Sequence, residues 1–364
     1  MKKFLVLILS LAMVLSLSAC GSSGSSKPAP AAEPAATAST AEASSPAEAA
    51  PAEAASTAAT ADDGKVWTLK ASTYLNTTDS LYPLAEEYCK KVLERTDGHV
   101  NIVIYPGEQL GFFEQTFEET MRGTIEFGFH SVPATYDNRL ECGFIPGAYS
   151  THDKLAKFTK PGSTVYNAFS DALGGLGITM LSFMCAGYNN LGLNCDLPEG
   201  YADPTVQKDE VIRVPISSET MDAVMKAMGY KTAPLGAADV YSSLQTGVVD
   251  GTLGQNNSMF ANAYSDVVKN VIDTQLVASI DCIFINTEVL ESMPEEYQQV
   301  LWDCAQEFYD ENIAFLVEED AAMMAQMEEK GITVTHLTDE QRAILEETMK
   351  EQVWPSIEAK GSVK

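Results

Sequence analysis

The sequence predicts an α/β fold, and three observations carry that prediction. Apolar residues recur at a spacing of two in some stretches and of three to four in the next, as alternating strands and helices require. Glycine, proline and aspartate stand between these stretches. About 300 residues remain after a low-complexity head, enough for two lobes of ordinary domain size. Alternation of this kind implies mainly parallel sheets, with ligands at the carboxyl ends of the strands.

The head is read first. Lys2 and Lys3 precede an apolar run from Phe4 through Leu17, too short to span a bilayer comfortably, and this reads as a secretory leader over residues 1–19. It ends Leu17-Ser18-Ala19-Cys20, which resembles the bacterial lipobox, so Cys20 is the expected lipidation site. Residues 20–64 then form a linker of Ala, Ser, Pro, Thr, Gly and Glu that lacks aromatic residues. Such a segment buries too little surface to offset its ordering entropy and is expected to act as a disordered tether.

Val66 to Thr73 alternates as a strand, with Trp67, Leu69 and Ala71 on one face. Leu81, Leu84, Ala85, Tyr88 and Val92 repeat at helical spacing, and Asp97-Gly98 closes that helix. A strand from His99 to Tyr105, a helix from Phe113 to Arg122 and a strand from Glu126 to His130 follow. Helical stretches lie at His152–Phe158 and Val165–Leu173, with a buried strand from Ile178 to Phe183. The alternation continues through strand Val211–Val214, helix Glu219–Met228, strand Lys231–Ala233, helix Ala238–Gln245 and strand Val248–Asp250. A helix is expected over Ser258–Lys269 and a strand over Ala278–Ile285. After Pro294 a helical pattern runs to Lys330, long enough to lie across more than one structural unit. A strand from Ile332 to His336 and a helix from Thr338, where Thr338 and Gln341 have capping-box spacing, complete the chain. The loops after Thr73, Phe129, Met184, Val214 and Asp250 are the ones to search for a site.

Composition excludes several functions. The formal charge is −28, and −30 once Lys2 and Lys3 leave with the leader. No basic patch remains to neutralise phosphates, which argues against nucleic-acid binding. An acidic surface also disfavours anionic membranes. Six cysteines follow Cys20 without a Cys-x-x-Cys pair, and they are expected to be mostly buried thiols, with Cys185–Cys195 the one candidate disulfide. His99, His130, His152 and His336 fall in separate segments with no metal or triad context, and no glycine-rich nucleotide motif occurs. No cofactor, no metal and no catalytic set is expected.

Ile212-Arg213-Val214-Pro215, Pro234 and the stretch from Asp239 to Gly251 resemble the hallmark of TRAP transporter solute-binding proteins, the DctP-like family. Tyr105-Pro106-Gly107-Glu108-Gln109-Leu110-Gly111 is similar to a turn of that family, Arg122 to Phe127 to its approach to a strand, and Leu290 to Glu296 to a helix start. The resemblance implies a periplasmic-binding-protein-like fold of type II kind, with hinge strands and a long helix spanning both lobes. It implies a first lobe over residues 65–186, completed by about 279–312, and a second over 187–278, completed by about 313–364.

It also implies a site. Arg213 takes the role of the family's ligand-binding arginine, for which a guanidinium is suited by its two parallel donors and its permanent charge. Dicarboxylate- and sialate-binding members often place a second arginine two residues after the glycine matching Gly187; here that residue is Asn189, with Tyr188 beside it. Gln255 and Asn256 follow the Asp-Gly pair, Phe112 follows the Gln109-Leu110-Gly111 turn, and Tyr74 and Ser131 occupy loops after the first and third strands. One cationic anchor with few polar partners points to a monocarboxylate. The implied role is capture of a small organic acid outside the cell membrane, with the protein held by lipidated Cys20, and delivery to the small and large TRAP membrane subunits. The alternatives are a sensory binding module, an ATP-driven transporter's binding protein and an α/β enzyme.

Overall fold

The computed structural model describes residues 64–216 and 218–359; the leader, Cys20 and all of the tether except Gly64 lie outside them. β1 (Trp67–Thr73) turns Leu69 and Ala71 inward. α1 (Tyr82–Arg95) starts on Pro83 and buries one stripe made of Ala85, Tyr88, Cys89 and Val92. It stops where Asp97 and Gly98 take φ of 48° and 86°, a left-handed turn that glycine makes without strain. β2 (Val100–Tyr105), α2 (Phe113–Met121) and β3 (Phe127–His130) follow. A 3-10 turn (Asn138–Phe144), α3 (His152–Thr159) and α4 (Thr164–Gly174) are each entered through a side-chain cap, from Asp137, Thr151 and Ser163 respectively.

β4 (Ile178–Leu193) is 16 residues long and runs out of the first lobe into the second. There β5 (Val211–Pro215), α5 (Glu219–Ala227), β6 (Lys231–Leu235), α6 (Val240–Thr246), β7 (Gly251–Gln255) and α7 (Asn257–Asn262) form in sequence. β8 (Asn270–Asn286), 17 residues long, carries the chain back. α8 (Thr287–Glu291) leads into α9 (Glu295–Glu329), which spans 35 residues. β9 (Thr333–His336), α10 (Asp339–Thr348) with the expected Thr338–Gln341 capping box, a π-helical turn (Met349–Val353) and α11 (Trp354–Ala359) end the fold.

The strands pair in the order β2-β1-β3-β8-β4-β7-β5-β6, with β9 on β8. The first lobe uses the end of β8 and the start of β4; the second uses the start of β8 and the end of β4. The two crossing strands are therefore shared, and the fold has the two lobes and hinge strands that the resemblance implied. The expectation of mainly parallel pairing holds for five of the eight strand pairs, β8–β9 among them. The outer pairs are parallel, but β3–β8, β8–β4 and β4–β7 are antiparallel, because each crossing strand must reverse to return.

Four apolar clusters flank the sheet. In the first, Tyr88 stacks edge-on against Phe129 and Phe308 at 5.8 and 6.2 Å. Each such ring stabilises the fold by about 1.5–3 kcal/mol on burial. A second gathers Phe117, Phe169, Phe183 and Phe284 around α4 and the 3-10 turn. The third and fourth lie on either side of the second lobe's sheet, under α5 and α10 and under α6 and α7.

The crossing strands bend at defined places. Gly187 has φ of 92° and sits where the β4–β8 register slips between Cys185 and Tyr188. Gln275 in β8 has φ of 51°. The first half of β4 pairs with β8 on one side only. On its other side the fully buried Asn312 of α9 accepts from Cys185 N at 2.7 Å and donates to Cys185 O at 3.0 Å. One side chain thus does there what a neighbouring strand would do.

Four expectations are corrected. β4 continues through Met184, so no loop follows that residue. β7 begins at Gly251 and not at Val248, since Val248 is two-thirds exposed in the turn after α6. α7 is one short helix and the chain is already extended from Asn270. Cys185 and Cys195 are both free thiols, Cys185 buried in the core and Cys195 half-buried near Asp250.

Candidate functional site

The carboxyl ends of β1 and β7 meet between the lobes. A cavity of about 270 Å³ opens there, lined by Tyr74, Asn76 and Asp79 after β1, by Asn256 and Met259 of the second lobe, and by Ala186 on β4. An adjoining smaller cavity reaches along α9 to Glu319 and Asp320. A second interlobe cavity, about 470 Å³, lies between Glu141 and Phe144 of the first lobe and Ile216, Ser218 and Glu219 of the second. A larger groove of about 630 Å³ runs between α1 and β2 on one lobe alone, away from these strand ends.

Arg213 sits near the end of β5 with its neighbours Ile212 and Val214 turned into the core below α5. Its own side chain goes to the opposite face and is 3 % exposed. Nε donates to Leu235 O at 3.0 Å and Nη1 to Leu253 O at 3.5 Å. Gly254 leaves the room this needs: its φ is +109° and a Cβ there would lie 3.4 Å from Nη1. Burial pushes the guanidinium down from its usual range, but arginine stays charged. Among the described residues no carboxylate lies within ion-pair distance of it, and Nη2 donates to no protein atom. A buried guanidinium without a carboxylate partner is costly to keep.

On the first lobe the centre is Asp281 of β8, buried at 2 % exposure and not identified from the sequence. Tyr74 Oη donates to its Oδ2 at 2.6 Å and Ser131 Oγ donates to its Oδ1. Burial pushes the Asp281 carboxyl up, against the two hydrogen bonds that lower it. Burial also pushes the Tyr74 phenol well up, reinforced by Asp281. Ser131 is held in turn by His130, whose Nδ1 lies 2.7 Å from Ser131 O and must carry the proton there. His130 Nε2 faces Ser72 Oγ at 2.9 Å and Thr116 Oγ1 at 3.2 Å. Desolvation pushes this ring down to about 4, so it is neutral.

The remaining candidates divide. Asn256 caps α7 through Met259 N at 2.9 Å and lines the cavity. Gln255 is buried and accepts from Thr252 Oγ1 at 2.6 Å. Asn189 is half-buried on β4 opposite Val277. Tyr188 belongs to the core: it is 1 % exposed, its hydroxyl donates to Tyr149 O at 2.7 Å, and its ring meets His152 edge-on. Phe112 stands 67 % exposed ahead of α2. Tyr74 and Asn256 are brought together, Ser131 joins Tyr74 through Asp281, and Tyr188 and Phe112 lie elsewhere.

A polar network that the sequence did not reveal runs beside them. Asn190 Nδ2 donates to Asn257 Oδ1 at 3.1 Å and to Asp273 Oδ1 at 3.0 Å, and His152 Nε2 lies 2.8 Å from Asp320 Oδ2. Asn190 and Asp273, polar groups in mid-strand, thus point at one another across β4 and β8 and not at solvent.

Comparison with known proteins gives a consistent picture. A family model described as bacterial extracellular solute-binding protein, family 7 (DctP), matches residues 71–360. The C4-dicarboxylate-binding periplasmic protein DctP of Rhodobacter capsulatus is 25 % identical over 274 residues, covering 73 % of this chain and 77 % of that one. The ectoine/5-hydroxyectoine-binding periplasmic protein UehA of Ruegeria pomeroyi is 27 % identical over 314 residues, covering 84 % and 88 %. A TRAP periplasmic solute-binding protein from Ochrobactrum anthropi, solved with its C-terminus in the ligand-binding pocket, superposes with a TM-score of 0.73 at 21 % identity, covering 81 % and 90 %.

Proposed function

The chain belongs to family 7 of the bacterial extracellular solute-binding proteins, and from that premise we propose that it captures a small monocarboxylic acid between its lobes and passes it to TRAP-type membrane subunits. The observation that carries this reading is Arg213, a buried guanidinium near the end of β5 without a carboxylate partner among the described residues. The solute's carboxylate completes it, bonding to Nη2 and displacing the long Nη1 contact to Leu253. Tyr74, Ser131, Asn189, Gln255 and Asn256 surround the rest of the solute. Closure brings the lobes together by bending β4 and β8 near Gly187 and Gln275, as a hinge does. No covalent bond is made or broken. Upstream, residues 1–19 act as the leader, Cys20 carries the lipid and the segment to residue 64 tethers the lobes at the outer face of the cell membrane.

Calorimetry with a panel of small mono- and dicarboxylic acids tests this. A monocarboxylate is expected to bind the wild type, and Arg213→Ala is expected to fold and to lose about 3–5 kcal/mol of affinity, the cost of breaking a buried charge pair. That is a rise of at least a hundredfold in Kd. Unchanged affinity in Arg213→Ala removes the proposed anchor, and binding confined to dicarboxylates removes the single-carboxylate part.

A further inference from the structure

A hydroxyl that has given its proton away can only accept another. Tyr74 Oη and Ser131 Oγ both donate to Asp281, one to each carboxylate oxygen. Among the described residues no cation lies within ion-pair distance of Asp281, and burial pushes its carboxyl up, so a cation brought to these two hydroxyls is what would favour its charged form. The orientation is fixed from behind, because His130 Nδ1–H holds the Ser131 carbonyl. Tyr74 lines the interlobe cavity, and its hydroxyl has only lone pairs left to offer a partner. Whatever faces this wall has to bring the hydrogen.

The charge of the walls narrows that further. Asp79 lines the same cavity, and Glu319 and Asp320 line the adjoining one, while no lysine, arginine or histidine lines either. A solute with net negative charge would meet this acidic wall, because the buried Arg213 at the end of β5 stands outside both linings. Resting on the reading that Arg213 takes the carboxylate, the geometry points to a zwitterionic solute, an acid whose protonated nitrogen is received by Tyr74 and Ser131 over Asp281. The second lobe donates to one end of the solute and the first lobe accepts from the other. Asp281 acts as a specificity residue through the two hydroxyls whose protons it holds.

The test uses matched ring acids that differ in one group: cyclohexanecarboxylate, trans-4-hydroxycyclohexanecarboxylate and piperidine-4-carboxylate, with cyclopentanecarboxylate and L-proline as a smaller pair. In calorimetry on the full folded protein, the ammonium-bearing member of each set is expected to bind at least tenfold tighter than its carbocycle. Asp281→Asn is expected to bring that ratio to within about threefold. Because Asp281 is buried, Asp79→Asn with Glu319→Gln serves as a second variant on the walls, and it should narrow the ratio in the same direction. Equal or tighter binding of the carbocycles, or a hydroxyl member as good as the ammonium member, overturns the inference. If those acids still lose affinity in Arg213→Ala, acid capture stands and only the zwitterion falls. Absence of binding by both series overturns the inference as well, and acid capture is then judged by the broader panel above.

Discussion

Asn312→Ala is the perturbation whose size follows most directly from the geometry. Asn312 is fully buried in α9, and its amide satisfies both the N–H and the C=O of Cys185, at 2.7 and 3.0 Å. The backbone at Cys185 lies on the side of β4 that β8 does not cover, two residues before the bend at Gly187. Alanine removes the partner and leaves a buried donor and a buried acceptor. Each such orphan costs about 1–3 kcal/mol. Together they predict a loss of about 2–6 kcal/mol, a large share of the roughly 5–15 kcal/mol that holds an ordinary domain folded. Urea unfolding followed by tryptophan fluorescence measures it, since Trp67, Trp302 and Trp354 report on both lobes. The expected result is a lower midpoint at an unchanged slope, which signifies lost stability and not a changed unfolded state. A loss under about 1 kcal/mol would refute the reasoning, because water would then be reaching Cys185 and the site would not be sealed.

Two further predictions concern the core around the site. The His130 ring is held neutral, with its value pushed down to about 4 from about 6.5 in the unfolded chain. Because the folded value is the lower one, its contribution to stability is present above about pH 6.5 and is lost as the pH falls toward 4, about 3 kcal/mol in all. A histidine-selective NMR titration reads this directly, and an inflection near 6.5 for His130 would contradict the burial argument. Gly128→Ala places a Cβ 2.3 Å from the Phe284 ring, which has no free side to move to inside its cluster. Overpacking of this kind costs about 1–3 kcal/mol, and a urea midpoint equal to that of the wild type would show that the ring can yield.

Most of the alternation was legible because it rests on local spacing. α1, β2, α2, β3 and α9 stand within a residue or two of where periodicity and turn residues set them. What was not legible is the hinge. Asn189 and Asn190 in β4, and Asp273, Thr274 and Gln275 in β8, interrupt their apolar runs, so both strands read as shorter than they are. Their polarity is answered by partners distant in sequence, such as Asn257 for Asn190 and His336 for Asp273, and no local pattern encodes that. The same holds for the site. Arg213 could be singled out because its surrounding motif is contiguous. Asp281 could not, since a lone acid in a strand acquires meaning only when Tyr74 and Ser131 converge on it from 207 and 150 residues away. Tyr188 and Phe112 were chosen by adjacency along the chain, which says little about the face a side chain takes on a strand or ahead of a helix.

The strand order has a consequence for how the polypeptide assembles in time. β3 has β1 on one side and β8 on the other, in the register Phe127 opposite Ile285. The first lobe's sheet is thus left gapped while synthesis passes through the whole second lobe. A nascent chain that has not yet delivered Cys282 to Ile285 holds β3 with a bare flank, and its apolar neighbours have nothing to close against. Pairings this remote form slowly, since the intervening loop must be gathered first. A fragment truncated before β8 is accordingly expected to stay unassembled, and neither lobe can be cut out as a self-sufficient piece.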